Sequence, residues 1–377
     1  MAFRIMGIYL DNAATTQLDR EVLEEMNKCS EVFGNPGSLH FKGQEAADAV
    51  SKARKTIAKS LNADFDEIIF TGSATESNNL AIFGTLNRNK GKFITTSIEH
   101  PSVLEPALKL KKEGCDVIFL DVDREGFVNV EQLRKEIKGA ALVSIVHGNH
   151  EIGTLQDVGE IGKICKENNV AFHFDASQSY TKTKIDVREI NATLLTVNSH
   201  KIHGPKGVAT LYVKRGTRLN KLMYGGEQEL NLRPGTENVV SIAGFAKAAE
   251  IAFRDYEKNN KKIRELRDKL LDKLLRIKNA KLNGPRDLEK RLINNINVSF
   301  LGKEGESLVI ALSKAGICVS TGSACTSRKQ GPSHILKAIK LSDKEIKGAL
   351  RVTLSRFNTE KEINVAVEKI KEVVESG

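Results

Sequence analysis

The 377-residue chain has no run of 18 apolar residues, which excludes a transmembrane helix of ordinary length. Its opening stretch, MAFRIMGIYLDNAATT, holds too short an apolar segment for a secretory leader and shows no small-residue cleavage pattern. Cysteine is sparse: five residues, at 29, 115, 165, 318 and 325, form no CxxC pair. An odd, scattered set without an export signal argues against a disulfide framework and for a reducing cytoplasm. No zinc-finger or RNP-type signature occurs, so no direct nucleic-acid partner is indicated, and no tandem repeat or low-complexity tract interrupts the chain. What is present is ordinary for a soluble globular protein, with 40% hydrophobic and 28% charged residues. Lys and Arg (58) exceed Asp and Glu (48) to leave a net charge of +10, which suits acidic partners or simply a well-solvated surface.

From about residue 60 to 215, short β-branched runs alternate with amphipathic segments: DEIIFTG, GKFITTSIEH, CDVIFLDVD, ALVSIVHGN, VAFHFDAS, LLTVNSHK and GVATLYVKR read as strands. Continuous apolar strands between helices predict an α/β architecture with a mostly parallel sheet covered on both faces. Ligands gather at the carboxyl ends of such strands. From about 240 the stretch SIAGFAKAAEIAFRDYEKNNKKIRELRDKLLDKLLRI reads as one long helix, followed by a smaller α+β unit.

Four polar features follow predicted strands. TGSATES runs straight into a helix, so its backbone N–H groups suit a phosphate, although Ser73 or Thr75 also serves as an ordinary N-cap. His100 ends a strand before Pro101; a capping role is the simpler reading. Asp175 closes FHFDASQS, where a strand-end carboxylate needs a cation or donors, with Gln178 three residues on. Lys201 follows LLTVN beside His200, and a lysine at the mouth of a buried sheet can carry a depressed pKa and condense with a carbonyl. Each is ordinary alone. A phosphate nest, a strand-end aspartate and a later strand-end lysine together describe a pyridoxal phosphate pocket.

The ordered motifs YLDNAATT (9–16), FGNPGSLH (33–40), FTGSATESNNLAI (70–82), EHPSVL (99–104), HGNHEIGTLQD (147–157), HFDASQS (173–179), SHKIHGPKG (199–207), RPGTENV (233–239), STGSACTS (320–327) and LRVTLSRFNTEKE (350–362) span nearly the whole chain. In this order the sequence resembles the cysteine desulfurases, in the iron–sulfur-cluster branch of the class V aminotransferase superfamily. The resemblance implies fold type I of the pyridoxal-phosphate-dependent transferases. A large domain over 15–255 would carry a mostly parallel seven-stranded sheet between helices; 1–14 and 256–377 would form a smaller α+β domain with a cysteine loop at about 320–334. It further implies that Lys201 carries the cofactor and moves protons, that Asp175 pairs with the pyridine nitrogen, and that Gln178 bonds the ring hydroxyl. His100 would stack on the ring and act as acid or base, while Ala74, Thr75 and His200 hold the phosphate. Thr236 would reach the cofactor of a second subunit, which implies a homodimer. Arg351 would clamp the substrate carboxylate, with Asn35 close to the substrate. Three positions depart from the family pattern. His150 stands where a second asparagine is usual; it can still donate, but its charge can change near neutral pH. Asn198 replaces a phosphate-binding serine, a role open to Asn198 or Ser199. Glu227 and Leu230 replace a glycine and an arginine.

The implied reaction converts L-cysteine to L-alanine and leaves the sulfur as a persulfide on Cys325, making the chain a sulfurtransferase. The sulfur would pass to an iron–sulfur scaffold protein, with tRNA thiolation as a further outlet. No resident metal is expected, although Cys325 would ligate a cluster iron transiently when a scaffold is docked. Cys325 sits among Ser320, Gly322, Ser323 and Ala324, which suits a mobile loop; Arg328 and Lys329 either favour its thiolate, meet an acidic partner or simply face water. The other four cysteines read as packing residues. A related lyase or aminotransferase acting on another substrate, such as selenocysteine, remains an alternative, as does a non-enzymatic scaffold.

Overall fold

The computed structural model describes residues 7–322 and 331–376; Cys325, Arg328 and Lys329, and the expectations about them, lie outside the described residues. The apolar runs of the first two-thirds form one seven-stranded sheet. Its strands are β2 (Ile68–Thr71), β3 (Lys92–Thr96), β4 (Val117–Leu120), β5 (Ala140–Val146), β6 (Ala171–Asp175), β7 (Leu194–Asn198) and β8 (Ala209–Val213). The order is β2-β8-β7-β6-β5-β3-β4, and only β8 runs antiparallel to its neighbours. Every residue of β2, β7 and β8 is buried, as expected of strands covered on both faces.

The covering helices are α1 (Arg20–Cys29), α2 (Phe41–Ser60), α3 (Ala74–Leu86), α4 (Pro101–Lys112), α5 (Val130–Glu136), α6 (Val158–Glu167), the short irregular α7 (Gln228–Asn231) and α8 (Val239–Arg254). Side chains cap several of them: Ser73, Asn129, Asp157 and Asn238 each accept from a backbone N–H of the first turn. The seven-residue α5 was not anticipated, because about two turns carry too little periodicity to register.

The expected single helix after residue 240 is two. α8 ends at Arg254 and α9 (Tyr256–Leu275) begins across Asp255, whose backbone is non-helical. The two segments bury against different cores, so the axis must break between them. α8 packs on α1 and α2 and contributes Ile242, Phe245 and Ile251 to the larger core. α9 gives Ile263, Leu266, Leu270 and Leu274 to a second core, shared with Leu10, Ile296, Val298, Val352 and Ile370.

That second core lies over an antiparallel sheet of β9 (Ala280–Leu282), β10 (Asn295–Phe300) and β12 (Ala349–Thr353), with α10 (Gly305–Lys314) and α13 (Glu360–Ser376) packed together beside it. The N-terminal β1 (Ile8–Tyr9) pairs in parallel with β11 (Ile317–Cys318), which ties the start of the chain to its last third. The small α11 (His334–Ala338) crosses over, inserting Ile335 and Leu336 into the larger core, while α12 (Asp343–Lys347) follows it. Two of the four cysteines read as packing residues are buried, Cys29 and Cys165; Cys115 and Cys318 are exposed. Cys115 falls in the turn after α4 rather than in a strand, and Cys318 points outward from a two-residue strand.

Candidate active site

The carboxyl ends of the parallel strands open onto one cavity of about 190 Å³. Ser73, Ala74 and Thr75 line it from the start of α3, His100 and Ser102 from the start of α4, and Gly148 and His150 from the turn after β5. Asp175 ends β6, Asn198 ends β7, and His200 and Lys201 lie on the 3-10 turn that follows. Arg351 enters from β12 of the second sheet, and Ala13 and Ala14 close the wall from the N-terminal segment.

Asp175 is held in one orientation. Its Oδ2 accepts from Asn78 Nδ2 at 2.8 Å and its Oδ1 from the Ser177 backbone N–H at 2.8 Å. Asn78 also donates to Ser102 Oγ, linking α3, α4 and β6. Lys201 Nζ donates to the carbonyls of Ala13 and Ala14, and Gln178 Nε2 donates to the same Ala13 carbonyl at 2.9 Å. Arg351 is almost wholly buried; its Nη1 donates to the His150 carbonyl at 3.0 Å and its Nη2 to Asp11 Oδ1 at 2.8 Å. His200 Nδ1 meets Thr15 Oγ1 at 3.0 Å.

Burial sets the charge of the imidazoles. It pushes His200 down to about 4, with Lys201 and Lys206 adding to the effect. It also lowers His100, against the opposing pull of Asp175. His150 lies well below the ordinary imidazole value, first through burial and then through His100 and Arg351. The expectation that His150 changes charge near neutral pH is therefore corrected: the ring is neutral there, because a buried imidazole facing cations cannot hold a proton. Beneath the cavity, burial pushes Glu99 up to about 8, and Asp175 adds to the shift.

The residues fit a phosphorylated pyridine aldehyde. The cavity has a helix N-terminus for a phosphate, a fixed carboxylate for a ring nitrogen and a lysine amine for a carbonyl. Three of its lining residues also hold polar atoms that are buried yet lack a partner among the described residues: Ser177 Oγ, Arg351 Nε and both ring nitrogens of His150. Buried polar atoms are ordinarily paired, so their concentration on one cavity argues for a polar occupant.

Of the residues named from sequence, Lys201, His100, Ala74, Thr75, Asp175, Gln178, Asn198, His200, His150 and Arg351 line this cavity. Ser199 does not; its hydroxyl packs against Gly204. Asn35 and Thr236 are exposed and outside it, Asn35 accepting from the Gly37 N–H within its own turn. Asn78, Ser102, Ser177 and Asp11 were missed as functional residues. Asp11 stood within the YLDNAATT motif, and the others are polar residues inside or beside the strand-end motifs, but nothing local marks their partners.

The architecture and the cavity define a class. The chain matches the family model described as aminotransferase class-V over residues 8–365 and belongs to that family, whose members use pyridoxal phosphate. Within it, the chain is 45% identical over 374 residues to a protein from Dictyoglomus turgidum named cysteine desulfurase IscS, covering 98% of this chain and 94% of that one. A protein of the same name from Clostridium botulinum is 44% identical over 373 residues, covering 97% and 94%. A solved structure described as a NifS-like protein superposes with a TM-score of 0.93 at 37% identity, covering 99% of this chain and 100% of the other.

Proposed function

We propose that the chain is a pyridoxal-phosphate-dependent cysteine desulfurase that converts L-cysteine to L-alanine and passes the sulfur outward through Cys325. One observation carries the reading: the segment bearing Cys325 departs beside Arg351, which lines the cavity with Lys201 and Asp175, and returns beside Glu151, the neighbour of the cavity-lining His150. Ser320 and Arg351 exchange backbone hydrogen bonds, with Arg351 N donating to Ser320 O at 2.6 Å. Beyond the segment, Ser333 Oγ donates to Glu151 Oε2 at 2.6 Å, and His334 Nε2 lies 3.0 Å from the Glu99 carbonyl.

Pyridoxal phosphate, when bound, supplies an electron sink that acidifies the substrate Cα–H and loosens the bond at Cβ. Lys201 Nζ would hold the cofactor and then carry a proton at the same atom. Asp175, fixed by Asn78 and the Ser177 amide, would keep the ring nitrogen protonated. Ala74 and Thr75 at the head of α3, with Asn198 and His200, would hold the phosphate. Gln178 and His100 would orient the ring. Arg351 has Nη1 and Nη2 engaged while its Nε has no partner among the described residues, and its guanidinium would take the substrate carboxylate. The Cys325 thiolate then attacks the substrate sulfur. The S–S bond forms, the Cβ–S bond breaks, and its electron pair stays with the carbon fragment that takes up protons and leaves as alanine.

The acceptor is an iron–sulfur scaffold protein, and the setting is the cytoplasm; among the described residues no helix is long and apolar enough to cross a membrane. The protein acts as a homodimer, which exposed Phe33, Leu39, Phe41 and Tyr224 support and which brings Thr236 and Asn35 toward a neighbouring cavity. The two cores support a division into 15–255 and 1–14 with 256–377. Cys325→Ser tests the central role. It is expected to keep the yellow absorbance of the bound cofactor and lose sulfide production from L-cysteine. Undiminished sulfide release would remove Cys325 from the reaction.

A further inference from the structure

The two imidazoles of the cavity, His100 and His150, meet edge to face with ring centroids 5.2 Å apart, yet they are not equivalent. His100 is the N-cap of α4, and its Nδ1 accepts the Ser102 backbone N–H at 3.1 Å. An acceptor Nδ1 carries no proton, so the neutral ring has its proton on Nε2. The helix cap therefore makes His100 a donor toward the cavity. His150 has no such tie. It is 6% exposed, and neither ring nitrogen has a partner among the described residues. Its nearest carboxylate, Glu151 Oε1, stands 3.9 Å from Nε2, beyond a hydrogen bond. Arg351, His100, His334 and Lys201 all face it and oppose its protonation. A neutral imidazole always keeps one acceptor nitrogen, so His150 brings to the cavity an acceptor that His100 cannot.

The substrate has three polar groups. On the desulfurase reading, Arg351 Nε takes the carboxylate and the Lys201 site takes the amine, which leaves the thiol. The carboxylate site and residue 150 are rigidly joined, because Arg351 Nη1 donates to the His150 carbonyl. We propose that His150 is a specificity-determining residue whose ring nitrogen accepts the substrate S–H, recognising the thiol and holding its sulfur in the neutral form. The inference rests on the desulfurase reading and adds to it the group that tells cysteine from an amino acid of the same shape.

The test is made in a Cys325→Ser background, where sulfur is not carried off, by titrating the cofactor band with L-cysteine and with L-2-aminobutyrate, which replaces S–H by methyl. A neutral hydrogen bond corresponds to roughly a three- to tenfold preference for cysteine. His150→Leu should abolish that preference while binding aminobutyrate at least as well. His150→Asn, whose amide oxygen also accepts, should keep part of it. A His150→Leu protein with the unaltered preference overturns the proposal. Nitrogen NMR of the histidines in the cofactor-free, unsubstituted chain is a second measurement that needs no variant. It should find His100 as the Nε2–H tautomer and His150 neutral between about pH 6 and 8; a protonated His150 in that range overturns the proposal equally. A protein with no cofactor band and no alanine from L-cysteine would instead overturn the desulfurase reading itself.

Discussion

Glu99 lies in the turn between β3 and α4, beneath the cavity that Asp175 lines. Glu99 is fully buried; its Oε1 accepts from Thr96 Oγ1 at 2.7 Å and from the Val146 N–H at 2.9 Å, while Oε2 has no partner among the described residues. Burial raises its pKa to about 8. Its folded value thus lies above the unfolded one, so its contribution to stability is complete below about 4.5 and is lost as pH rises through about 8. Glu99→Gln keeps the acceptor oxygen and removes the titration. Urea unfolding should find the variant more stable by roughly 4 kcal/mol at pH 8 and nearly equal near pH 4.5; parallel pH curves for the two proteins would show that Glu99 is ionised when folded. Lys201, Asp175 and His100 were legible in the sequence because each closes or follows an apolar run, where a polar residue has a reason to be noticed. Asp11 was not, since its partner Arg351 lies 340 residues away and no spacing rule connects them. His150 was noticed as a departure, but its charge was misjudged because burial and neighbouring cations cannot be read from a single chain.

At the scale of elements, the site is built from helix starts. α3 and α4 begin where β2 and β3 end, and their caps bring Ser73 and His100 to the cavity wall. Ser73 Oγ accepts from the Glu76 N–H at 3.1 Å, which leaves the foremost amides of α3 to face the cavity. Ser73→Ala should cost about 1 kcal/mol in stability and weaken cofactor binding in the same protein, read by thermal melting and by titration of the cofactor-free form with pyridoxal phosphate. Lost stability with unchanged cofactor affinity would confine Ser73 to capping. These strands and helices were readable from periodicity alone. The break at Asp255 was not, because both halves have helical spacing and neither proline nor glycine separates them; only the presence of two cores to be covered forces the change of axis.

Across the whole molecule, the cavity is built where two sheets meet. The parallel sheet supplies Asp175 and Lys201, the antiparallel one supplies Arg351, and the N-terminal segment bridges them through Asp11 on Arg351 and Ala13 on Lys201. The segment bearing Cys325 starts beside Arg351, at Ser320, and ends beside Glu151, at Ser333. One end of that segment therefore lies next to the cavity-lining Arg351, and the other next to Glu151, the sequence neighbour of the cavity-lining His150. The most direct test is a single turnover: the cofactor-loaded protein mixed with less than one equivalent of sulfur-labelled L-cysteine, with alanine quantified and the label located by peptide mapping. Alanine should equal the cysteine consumed, with a reductant-releasable label on the peptide holding Cys325. Cysteine consumed without alanine, or label on any other cysteine, would contradict desulfuration through Cys325.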